Sequence, residues 1–272
     1  MAGRIRNFGI AALVWAGAAW AMGAAAEEEK DFAIEGVGIE MVWVAPGTFT
    51  MGSPADEWGR DKAEGIQRAV TLTKGFWLGR TEVTQAQYEA VEGANPSRFA
   101  ELGAEAPVER VSWLDATAWC EKLTARERAA GRLPDGYVYA LPTEAQWEYA
   151  CRAGKEGVPA YLDEVAWYDE NSGGTTHRVA QKKPNAWGFY DMLGNVLEWC
   201  RDWYGDYART AETDPIGPAH GYFRMARGGS WRTGAAVCRP AARAGGSAGR
   251  RDYTIGFRVG LCAVEERTGK EE

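Results

Sequence analysis

Two stretches of the chain hold residue types whose spacing could do chemistry. The first is Arg227-Gly228-Gly229-Ser230-Trp231, followed by Cys238-Arg239 and closed by Ile255-Gly256-Phe257-Arg258. Glycines, a small hydroxyl, a large aromatic and a lone thiol stand there between two strand-like pieces, and loops on a rigid scaffold carry function disproportionately. Cys238 is the candidate for reactive chemistry, because Arg232 and Arg239 are near in sequence and positive charge favours the nucleophilic thiolate. A disulfide is the structural alternative, with Cys200 as one available partner. The second stretch, Asp191-Met192-Leu193-Gly194-Asn195-Val196-Leu197-Glu198, sets two carboxylates around a Gly-Asn turn. A hard cation such as calcium takes several oxygens, and carbonyls of Gly194 and Val196 can stand between the two acidic side chains. The same pattern also suits an ordinary turn.

Other chemistries lack their residues. His177 and His220 are the only histidines, and no His-x-x-His, Glu-x-x-His or Cys-x-x-Cys occurs, so a zinc or iron cluster is not expected. No phosphate loop is present, and Gly245 to Gly249, a formal Gly-x-Ser-x-Gly, reads as a flexible loop without a strand before it. The net charge of -7 is spread along the chain without a basic stripe, which argues against nucleic acid.

The elements that must position these residues are partly legible. Met41 to Ala45 and Thr48 to Gly52, around Pro46-Gly47, read as a hairpin, and Gly75 to Gly79 as another strand. Thr84-x-x-Gln87, Ser112-x-x-Asp115 and Thr143-x-x-Gln146 each place a hydroxyl at an N-cap and a polar acceptor three residues on. Trp113, Ala116, Cys120 and Leu123 fall on one helical face, and Trp147, Ala150 and Cys151 on another, both read as core. From Gly154 to Arg224 the chain is rich in Gly, Pro, Asn, Asp and aromatics without periodicity, which predicts long ordered loops.

With 272 residues and 13 tryptophans the chain can bury one large core. Residues 1–26 read as a secretory signal: Arg4 and Arg6, an apolar stretch from Phe8 to Ala21, then small residues before Glu27-Glu28-Glu29. One domain over 27–264 and a charged tail over 265–272 follow, with no transmembrane anchor after cleavage and a periplasmic or secreted location. The five cysteines would then face an oxidising compartment, where an odd count leaves at least one thiol outside any intramolecular pair.

Taken together, these motifs resemble the sulfatase-modifying-factor family, whose founding member is the formylglycine-generating enzyme. The markers run from about Met41 to Cys262. They are Gly47-Thr48-Phe49-x-Met51-Gly52-Ser53, Glu82-Val83-Thr84-x-x-Gln87-Tyr88, Pro107-Val108-x-x-Val111-Ser112-Trp113, Leu141-Pro142-Thr143-Glu144-Ala145-x-Trp147-Glu148-Tyr149-Ala150, Gly188-x-Tyr190-Asp191-Met192-x-Gly194-Asn195-Val196-x-Glu198-Trp199 and Arg227-Gly228-Gly229-Ser230-Trp231. The resemblance implies an α+β, C-type-lectin-related fold with little regular secondary structure and structural calcium. It assigns a calcium site to Asp191, Gly194, Val196 and Glu198. Asn171 and Ser172 match part of a second one, whose remaining acidic ligand falls in a loop shortened here to Gly173-Gly174.

Catalysis in that enzyme uses copper(I) held by two cysteines five residues apart. Here the second position is Cys238 and the first is Thr233, a hard hydroxyl that cannot replace a soft thiolate, so copper is not expected. Ser230 is kept from the family's active-site region, while Leu197 replaces an aromatic residue. The family's iron-dependent branch carries a histidine-bearing helical domain that has no counterpart here. The resemblance also implies a Cys120–Cys262 disulfide, leaving Cys151, Cys200 and Cys238. Variable proteins of diversity-generating retroelements share this fold and the same flanking motifs; Lys, Glu, Gln, Met and Trp are all absent from 232 to 254. The reading adopted is an exported, calcium-stiffened module with a protein- or small-molecule-binding surface over Trp231, Arg232, Thr233, Arg239, Arg250 and Tyr253. The alternatives are an oxidoreductase of formylglycine-generating type using Cys238 and Ser230, and a retroelement-diversified receptor.

Overall fold

Strand alternation builds the fold around one central sheet. The structure, a computed structural model, describes residues 30–264; the expected signal over 1–26 and the charged tail over 265–272 lie outside the described residues. Strands β1 (Glu40–Val44), β2 (Gly47–Met51), β3 (Arg68–Leu72) and β4 (Phe76–Gly79) open it, followed by helices α1 (Gln85–Glu92) and α2 (Trp113–Ala129). Then come β5 (Tyr137–Ala140), α3 (Glu144–Arg152), β6 (Leu197–Trp203), β7 (Arg224–Arg227), β8 (Arg243–Gly246), β9 (Ile255–Phe257) and β10 (Gly260–Ala263). The central sheet has five strands, in the order Phe32–Ala33, β1, β4, β10, β5.

Because successive side chains point to opposite faces, this sheet feeds two cores. Met41, Trp77 and Leu261 join Trp119 and Leu123 of α2. Val42, Val44, Phe76 and Leu78 join Ala145, Trp147 and Ala150 of α3. The helices start where their caps predict: Thr84, Ser112 and Thr143 each close a reciprocal capping box, satisfying backbone donors that a helix leaves open. The outer edge of β5 is covered too, since Thr124 of α2 exchanges hydrogen bonds with the backbone of Tyr139, at 2.9 and 3.2 Å.

A second sheet, ordered β8, β7, β6, β9, carries the candidate chemistry, with β9 running parallel to β6. Its presence corrects the expectation of loops from Gly154 to Arg224. The seven-residue β6 lies there. Glu198, Trp199 and Cys200 are buried in succession, so both faces of the strand are covered and no alternation marks it. Gly245 and Gly246 likewise sit in β8 rather than in a free loop. A Cβ at either would approach the Tyr204 or Trp199 ring to 3.0 Å, so these glycines let aromatic rings press on a strand.

Candidate functional site

The Asp191–Glu198 turn is built from left-handed backbone and buried charge. Asp191, Gly194 and Asn195 adopt φ of 54°, 79° and 50°, and the amides of Gly194 and Asn195 donate to the carbonyls of Gly228 (2.8 Å) and Trp167 (2.7 Å). The turn therefore ties the Arg227-Gly228-Gly229 run to the short Ala166–Trp167 strand. Glu82 grips it from below: Oε1 accepts from the Val196 amide at 2.9 Å, and Oε2 from Asn195 Nδ2 at 2.6 Å.

Glu198 is held in a fork by Arg258, whose Nε and Nη2 donate at 2.9 and 2.7 Å, while Trp147 Nε1 donates at 2.7 Å. Among the described residues Asp191 accepts from the Ala180 amide, at 2.7 Å through Oδ2, while Oδ1 is buried without a hydrogen-bond partner. Three carboxylates thus share one guanidinium, and all four groups are at most 2% exposed. Burial foremost, then Asp191 and Glu198, drives the Glu82 carboxyl far above the usual carboxylate range. Burial also lifts Asp191, to about 6.

This surplus of negative charge and the orphaned Asp191 oxygen fit a hard cation seated on Asp191 and the turn carbonyls. Glu198 fits less directly, because three donors already occupy it. No group of three His, Cys, Asp or Glu side chains converges as a metal site among the described residues, so an ion here would depend on the backbone oxygens of Gly194 and Val196.

Asn171 and Ser172 make protein hydrogen bonds in this structure. Asn171 Oδ1 accepts from the Tyr168 amide at 2.9 Å, and its Nδ2 donates to Ala166 O at 3.0 Å. Ser172 Oγ donates to Trp231 O at 2.7 Å, and Ser172 O lies 2.7 Å from His177 Nε2. The imidazole, with its centroid 3.7 Å from that of the Trp167 ring, stands against that carbonyl. His177 is therefore a hydrogen-bonded residue.

At the C-terminal loop the structure corrects the thiolate argument. Cys238 is fully buried, and burial pushes its thiol up to about 11. Thr233 Oγ1 lies 3.6 Å from Cys238 Sγ and accepts from the Ser230 amide at 2.8 Å. Gly229, at φ 77°, brings the backbone so close that a Cβ would sit 2.7 Å from the sulfur. Arg239 gives the thiol no charge assistance. Its guanidinium is paired with Glu57 and Glu64 and donates to Gly59 O at 2.8 Å. It is buried, so it also leaves the expected binding surface. Arg227 is buried as well, paired with Glu148, which in turn takes Arg152 at 2.7 Å.

No disulfide is formed among the described residues, and all five cysteines are buried. Cys262 is near enough to Cys120 that, after burial, it helps push that thiol up, and Cys262 Sγ also donates to Gln146 Oε1 at 3.7 Å.

Of the expected surface, Trp231, Arg232 and Tyr253 come together, and Phe99 completes them. The ring pairs Phe99–Trp231, Trp231–Tyr253 and Phe99–Tyr253 have centroids 5.6, 5.8 and 6.4 Å apart. The Arg98 guanidinium lies 5.0 Å from the Tyr253 ring centre, and Arg232 donates to the Tyr253 hydroxyl. Thr233 is half-buried in the loop beneath, and Arg250 pairs with Asp252 at 2.8 Å. Phe99 and Arg98 lie more than 130 residues before Trp231, which is why sequence reading missed them. The local signal was the Asn95-Pro96-Ser97 turn. Its loop is anchored by Glu109, fully buried, which accepts from the Phe99 amide at 2.8 Å.

The profile of the sulfatase-modifying factor enzyme 1-like domain matches residues 28–261. The chain is 33% identical to a chaperone protein LppX of Paenibacillus barcinonensis, over 62% of this chain and 74% of that one. It is 34% identical to the formylglycine-generating enzyme of Streptomyces coelicolor, over 56% of this chain and 51% of the enzyme. The chain thus spans about half the length of that enzyme. Among solved structures, the Treponema denticola variable protein 1 superposes with a TM-score of 0.74 at 33% identity, covering 85% of this chain and 98% of that one. PvdO from Pseudomonas aeruginosa does so with 0.74 at 27% identity, covering 86% and 98%.

Proposed function

The chain belongs to the sulfatase-modifying factor enzyme 1-like family, and on that premise we propose that it acts as an exported, calcium-stiffened binding module rather than as a formylglycine-forming oxidase. The observation that carries this reading is the sealed single thiol. Cys238 has Thr233 Oγ1 as its neighbour at 3.6 Å, and one protonated sulfur with a hydroxyl offers no pair of soft ligands for copper(I). What reaches solvent instead is exposed Arg98 and Arg232 with the half-buried Phe99 and Tyr253 rings, backed by buried Trp231, the mixture of rigid rings and adaptable cations that recognition surfaces favour. Calcium on Asp191, Gly194 and Val196, with Glu198 alongside, would neutralise the buried charge and stiffen the turn that holds the Gly228 carbonyl. Residues 232–254 then serve as the adaptable part of the surface. The likeness to the Treponema variable protein supports a diversified version of the same role.

The test is a copper-loading and oxygen assay on the purified protein with a cysteine-containing peptide, run beside selection of a peptide library on wild type, Trp231→Ala and Tyr253→Ala. We expect no copper-dependent aldehyde product and peptides that the two variants no longer retain. Aldehyde formation above background, or binding indifferent to both substitutions, would overturn the reading.

A further inference from the structure

We propose that the cavity bordered by the Lys155–Pro159 loop binds a small amphiphile with an apolar chain and an anionic head, of the medium-chain carboxylate class. The cavity holds about 360 Å³, within the range of small-molecule sites. It contains none of Phe99, Trp231, Arg232 and Tyr253, meets residues 232–254 through Pro240, and touches the Asp191 turn through Asp191, Met192 and Leu193.

Its walls are apolar: Val158 and Pro159 from the loop, Val165 and Phe189 behind them, Leu193 and the Cys151 thiol. Burial pushes that thiol up to about 12, so at neutral pH it is a protonated, inert piece of wall. A concave apolar lining rewards a chain that displaces its water, and each methylene that enters strengthens binding about fourfold.

The head group follows from the charges bordering the cavity. Three cations reach it, Arg152, Lys155 and Lys183, against Glu156 and Asp191. Arg152 is committed to Glu148 at 2.7 Å and Lys183 to Glu164 at 2.8 Å. Asp191 is only 2% exposed. Lys155 is exposed and forms no ion pair among the described residues, so it is the cation available to an incoming carboxylate. An apolar cavity bordered by one exposed, uncommitted cation is the complement of an anionic amphiphile.

Calorimetric titration of the full chain with decanoate, octanoate and 1-octanol tests this. Decanoate should bind about fifteenfold more tightly than octanoate, from its two extra methylenes. Lys155→Glu should weaken octanoate roughly fivefold and leave 1-octanol unchanged. Val158→Asp, at a side chain already 36% exposed, should weaken all three, with a melting temperature that shows the fold intact. Absence of decanoate binding, indifference to chain length, or an equal effect of Lys155→Glu on octanoate and 1-octanol would overturn the proposal. So would a folded Val158→Asp variant that binds as well as wild type.

Discussion

Gly194→Ala is the sharpest perturbation of the site, because two separate costs meet at one atom. Gly194 adopts φ 79°, and placing an L side chain in that left-handed region costs about 1–2 kcal/mol. A Cβ would also overlap the Trp167 carbonyl oxygen, with the Trp167 carbonyl carbon and amide nitrogen each 2.8 Å away. Backbone cannot swing aside as a flexible side chain can. The Trp167 carbonyl also accepts the Asn195 amide at 2.7 Å, so moving it undoes the turn. Forcing an extra methyl into packed surroundings costs roughly a further 1–3 kcal/mol.

The sum is on the order of 2–5 kcal/mol, which for a domain of this size lowers the melting temperature by about 5–15 °C. Gly93→Ala is the matched control: φ is 85° at the end of α1, and a Cβ there meets nothing within 4 Å. It should pay only the conformational cost. Thermal and urea unfolding of both variants measure the difference. If Gly194→Ala costs no more than Gly93→Ala, the close approach of the turn to Trp167 is wrong, and the scaffold argued for the candidate cation site falls with it.

Two further outcomes are expected. Chelation with EGTA should lower the melting temperature of wild type and calcium should restore it, since a ligand bound only by the native state stabilises by mass action, about 2.7 kcal/mol at a hundredfold excess over Kd; Asp191→Ala should be insensitive to both, and a wild-type curve unmoved by EGTA would remove calcium from the account. Asp202, buried with its Oδ2 accepting the Glu144 amide at 2.8 Å, is raised to about 7 by burial and then by the Glu144 charge. The native state therefore keeps a proton that the unfolded chain releases near pH ~3.9, so this group's contribution is complete below about pH 4 and is lost as pH rises through about 7. Asp202→Asn, which keeps the acceptor without the charge, should flatten the fall in stability between pH 5 and pH 8 measured by urea unfolding; an unchanged slope would refute the assignment.

How much was readable in advance depends on the reach of each interaction. The three helix starts were legible because a capping box closes within three residues, as at Thr143 and Gln146. The strands around Pro46-Gly47 showed themselves through alternation, with Met41 and Val42 entering opposite cores, but the expected hairpin does not form: β1 pairs with β4 and β2 with β3, in separate sheets, because each strand finds its partner farther along the chain. The oxygen-rich turn was legible as a motif, and Thr233 in place of a cysteine was visible as a residue type. β6 was not, because its two covered faces erase the period on which a strand reading depends.

The amino-acid sequence by itself determined the local elements, the family markers and the lack of a second thiol beside Cys238, since these rest on residue type and short spacing. Only the tertiary structure decided which charges meet. Arg258 forks onto Glu198 across 60 residues, Arg239 turns from the thiol to Glu57 and Glu64, and Phe99 packs on Trp231. A buried ion or ring takes whatever partner the fold brings within a few ångströms, and burial then sets its protonation. Neither is encoded in spacing along the chain, which is why Cys238 reads as activated in one dimension and is an inert, protonated thiol in three.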